Sequence, residues 1–219
     1  MSSQITNILI TGIGETFYMV IISTIIAYII GIPLGVIVFI TDTNGICRNR
    51  VVNVITGFII NVVRSVPFLI LLVAILPFTR LVVGTTIGST ATIVPLVVAA
   101  APFVARMVES SLKEVDPGVI ETSKAFGAST WQIITKVLLP EAKPSLLVGG
   151  TIAFATILGY SAMAGFVGGG GLGAIAVNYG YYRYQTDVML ITVALLIIIV
   201  QVFQEVGIRV VNKIDKRIR

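Results

Sequence analysis

The chain has 219 residues, 56% of them hydrophobic and only 11% charged, with a mean hydropathy of +1.02, which is too apolar for a water-soluble domain of this length. The formal net charge is +5 with no histidine and one cysteine, Cys47, which excludes an internal disulfide and leaves no plausible zinc or haem ligand set. No basic patch is interleaved with aromatics, so nucleic acid is not an expected partner.

Residues 1–15 lack a basic n-region and read as an external N-terminal segment rather than a cleavable signal. Five stretches then reach the roughly 20 apolar residues that a transmembrane helix needs: 16–40, 53–76, 89–107, 145–167 and 187–208. The third is short and carries Pro95 and Pro102, which are tolerated in a span when neighbours re-satisfy the freed carbonyls. The connections at 41–52, 106–144 and 209–219 hold Arg48, Arg50, Arg106, Lys113, Lys124, Lys136, Lys143, Arg209, Lys213, Lys216, Arg217 and Arg219. The opposite side holds only Arg80 and Arg183. Cationic loops stay in the cytoplasm, so the N-terminus is expected outside and 209–219 is expected as a basic cytoplasmic tail. Residues 16–208 form one membrane domain, and the fold class is an all-α membrane protein of five transmembrane helices.

Arg64 falls inside the second span, where a guanidinium facing lipid costs at least ~2.5 kcal/mol. It is expected to face the interior, either as a polar contact on a translocation path or as a structural cation held by carbonyls. Acidic residues avoid the middle of every span, with Glu15, Asp187 and Glu205 near the ends. Ion-driven carriers generally hold their coupling ion with midplane carboxylates or unwound helices, so an ion-coupled secondary transporter is the disfavoured alternative. With no phosphate loop of the G-x-x-x-x-G-K-[ST] type, the chain is not itself a P-loop ATPase. Without histidine, paired carboxylates or a nucleophile beside a base, an intramembrane enzyme is disfavoured too.

Between the third and fourth spans the chain turns polar. Asp116-Pro117 reads as an N-cap followed by a first helical residue, and Val119, Ile120, Ser123 and Phe126 recur at helical spacing, with Glu121 and Lys124 on the polar side. Gly127 is placed to end this helix in a left-handed conformation. Ser129 and Gln132 form a capping box for a second helix carrying Trp131, Ile134, Val137 and Leu138 and stopping at Pro140. The residues alone allow either a docking hairpin, at about 116–140, or an ordinary one lying on the membrane interface.

Beyond it, Tyr160, Ser161 and Met163 sit where the fourth span approaches the outside, as packing between helices or as a gate. Gly168, Gly170 and Gly173 satisfy G-x-G-x-x-G formally but lack the βαβ unit of a nucleotide site. They are expected to shape an external re-entrant loop. Asn178, Tyr179, Tyr181, Tyr182, Arg183 and Tyr184 form an outer aromatic cluster, either an interfacial belt or a landing surface for a protein.

Glu121-Thr122-Ser123, Gly127 and Val137-Leu138-Leu139-Pro140 resemble, at matching spacing, the E-A-A-x3-G-x9-I-x-L-P signature of permease subunits of bacterial ABC importers, with Thr122 and Ser123 in place of two alanines. The resemblance implies a type I ABC importer permease fold whose hairpin is a coupling helix. Glu121, Thr122, Ser123, Ala125, Phe126, Gly127, Ala128, Leu139 and Pro140 would then seat in a groove of the ATPase. Arg64-Ser65-Val66-Pro67-Phe68, Pro77-Phe78-Thr79-Arg80, Ala105-Arg106-Met107-Val108-Glu109 and Gly159-Tyr160-Ser161-Ala162-Met163 are similar to the methionine-importer branch. That branch implies a bacterial cytoplasmic membrane location, a second copy of the chain, two ABC ATPase subunits binding ATP and Mg, and an external methionine-binding lipoprotein. No cofactor is then expected on this chain. Arg64, Tyr160, Ser161 and Met163 become candidates for the path or gate, and Tyr181, Tyr182 and Arg183 for contact with the binding protein. A permease for another small amino acid or related solute is the alternative within the family.

Overall fold

The computed structural model describes residues 3–214; Lys216, Arg217 and Arg219 of the expected basic tail lie outside them. Among the described residues every regular element is helical. Helix α1 spans Ser3–Thr41, 39 residues, or about 58 Å at 1.5 Å per residue. That exceeds a hydrocarbon core of about 30 Å. The expected external segment 1–15 is therefore not a separate element from Ser3 onward but the first turns of α1. Its Glu15 and the neighbouring Thr16 bind the backbone of a later helix.

The second expected span is not straight. Helix α2 (Arg50–Ser65) and helix α3 (Phe68–Ala74) meet at a bend of 102°. Pro67 brings no N–H and disfavours helical geometry at the residue before it, and Val66 is extended at φ −81°, ψ 125°. Helix α4 (Leu76–Val83) follows at once and is closed by Gly84 in the left-handed region. Helix α5 (Ser89–Lys113) accommodates Pro95 and Pro102 and continues six residues past the expected end of the third span, to Lys113. Among the described residues four helices are long and apolar enough to cross a membrane, and the bent pair α2–α3 supplies a fifth candidate.

Close approach of α1 and α5 forms the centre. A Cβ on Gly31 would lie 2.6 Å from a methyl of Val104, and one on Gly35 would lie 2.5 Å from the Ala105 carbonyl oxygen. This small-x-x-x-small stripe brings backbones together, as it does in membrane helix pairs generally, and it places Met19, Leu96, Val104 and Val108 at the dry middle. Helix α8 (Lys143–Ala164) joins through Tyr28, whose hydroxyl donates to the Leu146 carbonyl at 3.1 Å. Phe154 of α8 stacks on Phe203 of the last helix, α10 (Thr186–Ile214). Between them a turn at Gly165–Val167 leads to α9, Gly171–Ile175, prolonged by a wider π-helical turn, Ala176–Tyr181. The segment expected as a re-entrant loop is thus largely a short helix. Gly173 packs 2.5 Å, by its missing Cβ, from Ala162 backbone, and only glycine permits that contact.

Candidate functional site

Helix α6 (Pro117–Ala125) starts where expected: the Asp116 carboxylate accepts from the Gly118 N–H at 2.7 Å, and Pro117 occupies the first turn. Its end is a Schellman motif. Gly127 has φ +78°, the Gly127 N–H donates to the Lys124 carbonyl at 2.9 Å, and the Ala128 N–H donates to the Ser123 carbonyl at 3.1 Å. The next helix, α7 (Thr130–Ile133), opens on the expected capping box, in which Gln132 accepts from the Ser129 N–H at 2.8 Å and Ser129 accepts from the Gln132 N–H at 3.3 Å. It does not stop at Pro140. A π-helical turn at Ile134–Leu138 widens the ladder, with the Leu139 N–H reaching back to the Ile134 carbonyl, and Pro140 sits inside the helical segment Leu139–Glu141. A wider turn accommodates a ring that cannot donate without ending the helix.

The orientation of this hairpin decides its chemistry. Helix α6 has no fully buried residue. Glu121, Thr122, Lys124 and Ala125 are exposed, Ser123 and Ala128 are half-buried, and Phe126 is 87% exposed. In α7 Trp131 is 72% exposed, whereas Ile133, Ile134 and Leu138 hold the hairpin to the bundle. The apolar stripe foreseen on α6 is therefore split: Ile120 packs on the bundle core, whereas Val119 and Phe126 are exposed, beside small residues and the Glu121 carboxylate. A lone Phe at that exposure is the kind of anchor that fills a partner's pocket. The loop after α1 braces the base, where Cys47 Sγ lies 3.5 Å from Thr130 Oγ1.

A second constellation lies at the break. Arg64 is in the last turn of α2 and is exposed on the single chain rather than enclosed by it, because the bend at Pro67 turns the following helix away. Just beyond, Phe68 stacks face to face on Tyr160 of α8, with centroids 4.5 Å apart and planes 6° from parallel. Met163 is exposed one turn further on, while Ser161 turns inward and donates to the Leu158 carbonyl at 2.8 Å. Arg64 is thus near this face in sequence but is not joined to Tyr160, Ser161 and Met163 by any described bond. Close to Met163, Tyr181 meets Phe166 edge-on at 6.4 Å and packs on Tyr182 with centroids 5.2 Å apart, both tyrosines exposed, and Arg183 lies over the Tyr179 ring at 4.4 Å.

A family model described as the binding-protein-dependent transport system inner membrane component matches residues 31–219. The chain belongs to that family. This permease component is 49% identical over 212 residues to a probable D-methionine transport system permease protein of Vibrio cholerae, with 97% of this chain and 94% of that protein covered. It is 43% identical over 181 residues to the methionine import system permease protein of Bacillus subtilis, covering 83% and 82%. A solved structure of the MetNI methionine ABC transporter, described as inward facing, superposes with a TM-score of 0.97 at 46% identity, covering 99% of this chain and 100% of that one.

Sequence reading missed a polar cluster in this permease component. Arg106 and Lys113 of α5 both hold the Glu109 carboxylate, at 2.5 and 2.7 Å, and Glu109 is buried. The spacing of these three residues, three and then four apart on one helix face, was the available signal.

Proposed function

We propose that this chain is the permease subunit of an ATP-driven importer that carries D- and L-methionine across the bacterial cytoplasmic membrane. The observation that carries the reading is the hairpin, a capped helix pair whose first helix has no fully buried residue and exposes Phe126 and Glu121. Such a surface requires a partner to have an effect. The close methionine-permease relatives support the substrate.

In this reading two copies of the chain meet about a two-fold axis, each presenting one hairpin to one of two ATPase subunits. Glu121, Thr122, Ser123, Ala125, Phe126, Gly127, Ala128, Leu139 and Pro140 form or support the seated surface. ATP and Mg belong to the ATPase, and no cofactor is held by this chain. Closure of the ATPase dimer moves the docked hairpins, and the bundles rock from inward-facing to outward-facing, a shift between two packed arrangements. Arg64, Tyr160, Ser161 and Met163 line or gate the path between copies. Burying Arg64 there would give it the interior position its charge demands. Tyr181, Tyr182 and Arg183 face the external binding lipoprotein, with the N-terminus outside and the C-terminus in the cytoplasm.

The test is complementation. A methionine auxotroph lacking its own methionine importers, supplied with this chain and its ATPase and binding lipoprotein, is expected to grow on micromolar D-methionine. It should fail when this chain alone is left out. Growth without this chain, or uptake that persists without the ATPase, would reject the reading.

A further inference from the structure

Motion imposed on the hairpin has to reach the broken helix α2–α3, and the hairpin meets the bundle through Ile120, Ile133, Ile134 and Leu138 as well as through the end of α5. Helix α5 ends at Lys113, a short step before the Asp116 cap of the hairpin. On the last turns of α5, Arg106 extends across to α2. One guanidinium nitrogen donates to Glu109 at 2.5 Å, and the other donates to the Asn61 side-chain oxygen at 2.9 Å and the Gly57 carbonyl at 3.3 Å. Glu109 is in turn held by Lys113 at 2.7 Å, and Lys113 lies 3.9 Å from Asp42 at the end of α1. A Cβ on Gly57 would already stand 3.5 Å from the Arg106 guanidinium, so a longer side chain there would meet it.

From this arrangement we infer that Arg106, fixed by Glu109, is the positioning residue that makes α2 follow α5, and so passes hairpin movement to the bend that carries Phe68 and the Tyr160 face. A guanidinium fork is well matched to this linkage, because its two nitrogens act at once on different helices, which one point charge does not reproduce. Glu109 is buried and accepts from both cations, which prevents the arginine from swinging into solvent. Asn61 lies three residues before Arg64 on α2, so a shift of the clamp displaces Arg64 and the Val66–Pro67 break with it. The rest of the α2 surface is mostly apolar, and Val51, Val54, Ile55, Phe58, Ile59 and Val62 are exposed on the single chain. Near its start Asn53 ties α2 to α1, donating to the Val38 carbonyl at 2.7 Å, while the Arg106 bonds to Gly57 and Asn61 tie it to α5 nearer the break. The inference rests on the importer reading above and adds the internal link.

The experiment uses the full complex in proteoliposomes with labelled methionine, and it measures complex assembly, ATP hydrolysis and uptake separately. The unsubstituted complex checks the importer reading; only its variants check the clamp. Arg106→Ala is expected to keep its ATPase bound and hydrolysing within about twofold, while methionine moved per ATP falls roughly tenfold, the equivalent of about 1.4 kcal/mol. Arg106→Lys should restore only part of that ratio. Asn61→Ala leaves the α5 ion cluster intact and should lower the ratio less, and it decides the matter if Arg106→Ala fails to insert. An unchanged ratio in Asn61→Ala and Arg106→Ala would overturn the inference. So would losses of assembly, hydrolysis and uptake in equal proportion, the signature of a merely structural residue.

Discussion

The Ala128 N–H donates to the Ser123 carbonyl at 3.1 Å across Gly127, whose φ is +78°. This bond sets the angle between the two helices of the hairpin. Because nothing lies within 4 Å of the Cβ position of Gly127, a substitution there would act through the backbone and not through a clash. Gly127→Val should strain the turn by roughly 1–2 kcal/mol, the cost of a left-handed conformation for a residue with a Cβ. The expected variant inserts in the membrane in normal amount but loses co-purification of the ATPase, measured by affinity pull-down from detergent extracts.

Glu121 faces outward on the same hairpin and makes no contact that its own fold requires. Glu121→Ala should leave the thermal unfolding of the isolated permease unchanged within about 0.5 kcal/mol, as surface substitutions do. Uptake by the assembled complex should fall, while the chain remains as abundant in the membrane. Equal uptake in the two proteins would remove Glu121 from the docking surface.

Gly35 tests the centre of the bundle. Its missing Cβ would lie 2.5 Å from the Ala105 carbonyl oxygen and 2.6 Å from Val108 Cβ, so Gly35→Ala must push α1 away from α5. Overpacking of this kind costs about 1–3 kcal/mol. A lower melting temperature in detergent, without any change in affinity for the ATPase among molecules that remain folded, is the expected result.

Glu15 accepts from the Gly171 N–H at 2.6 Å, tying the first turns of α1 to the start of α9. Glu15→Ala leaves that buried N–H unpaired, at roughly 1–3 kcal/mol, whereas Glu15→Gln keeps an acceptor oxygen in place. Limited proteolysis should cut near residues 165–171 faster in the alanine variant and at nearly the native rate in the glutamine variant.

What could be read in the sequence was local. The Asp116 cap, the Ser129 and Gln132 box and the Gly127 turn each depend on residues within a few positions of one another, and each is found as read. The break between α2 and α3 was not read, because hydropathy runs unbroken from 53 to 76 and a proline inside a span is often absorbed; here Pro67 turns the chain by 102°. The inward position expected of Arg64 followed from charge cost in lipid, an argument that treats one chain as the whole protein. The Arg106 cluster is half legible: Glu109 and Lys113 share its helix face, but Asn61, forty-five positions away, comes into reach only through tertiary packing. Periodicity likewise gave α6 an apolar side without saying that Ile120 would pack on the bundle while Val119 and Phe126 stay exposed.

In the proposed mechanism the hairpin is the means by which ATP hydrolysed on another chain moves methionine through this one, and uptake by reconstituted vesicles measures that link directly. Proteoliposomes containing this chain and its ATPase, with the binding protein and labelled methionine outside and ATP enclosed, should accumulate methionine. Exchange of ATP for a non-hydrolysable analogue, or Gly127→Val in the hairpin, should abolish accumulation. Accumulation that continues under either condition, or that follows an ion gradient instead of ATP, would contradict the account.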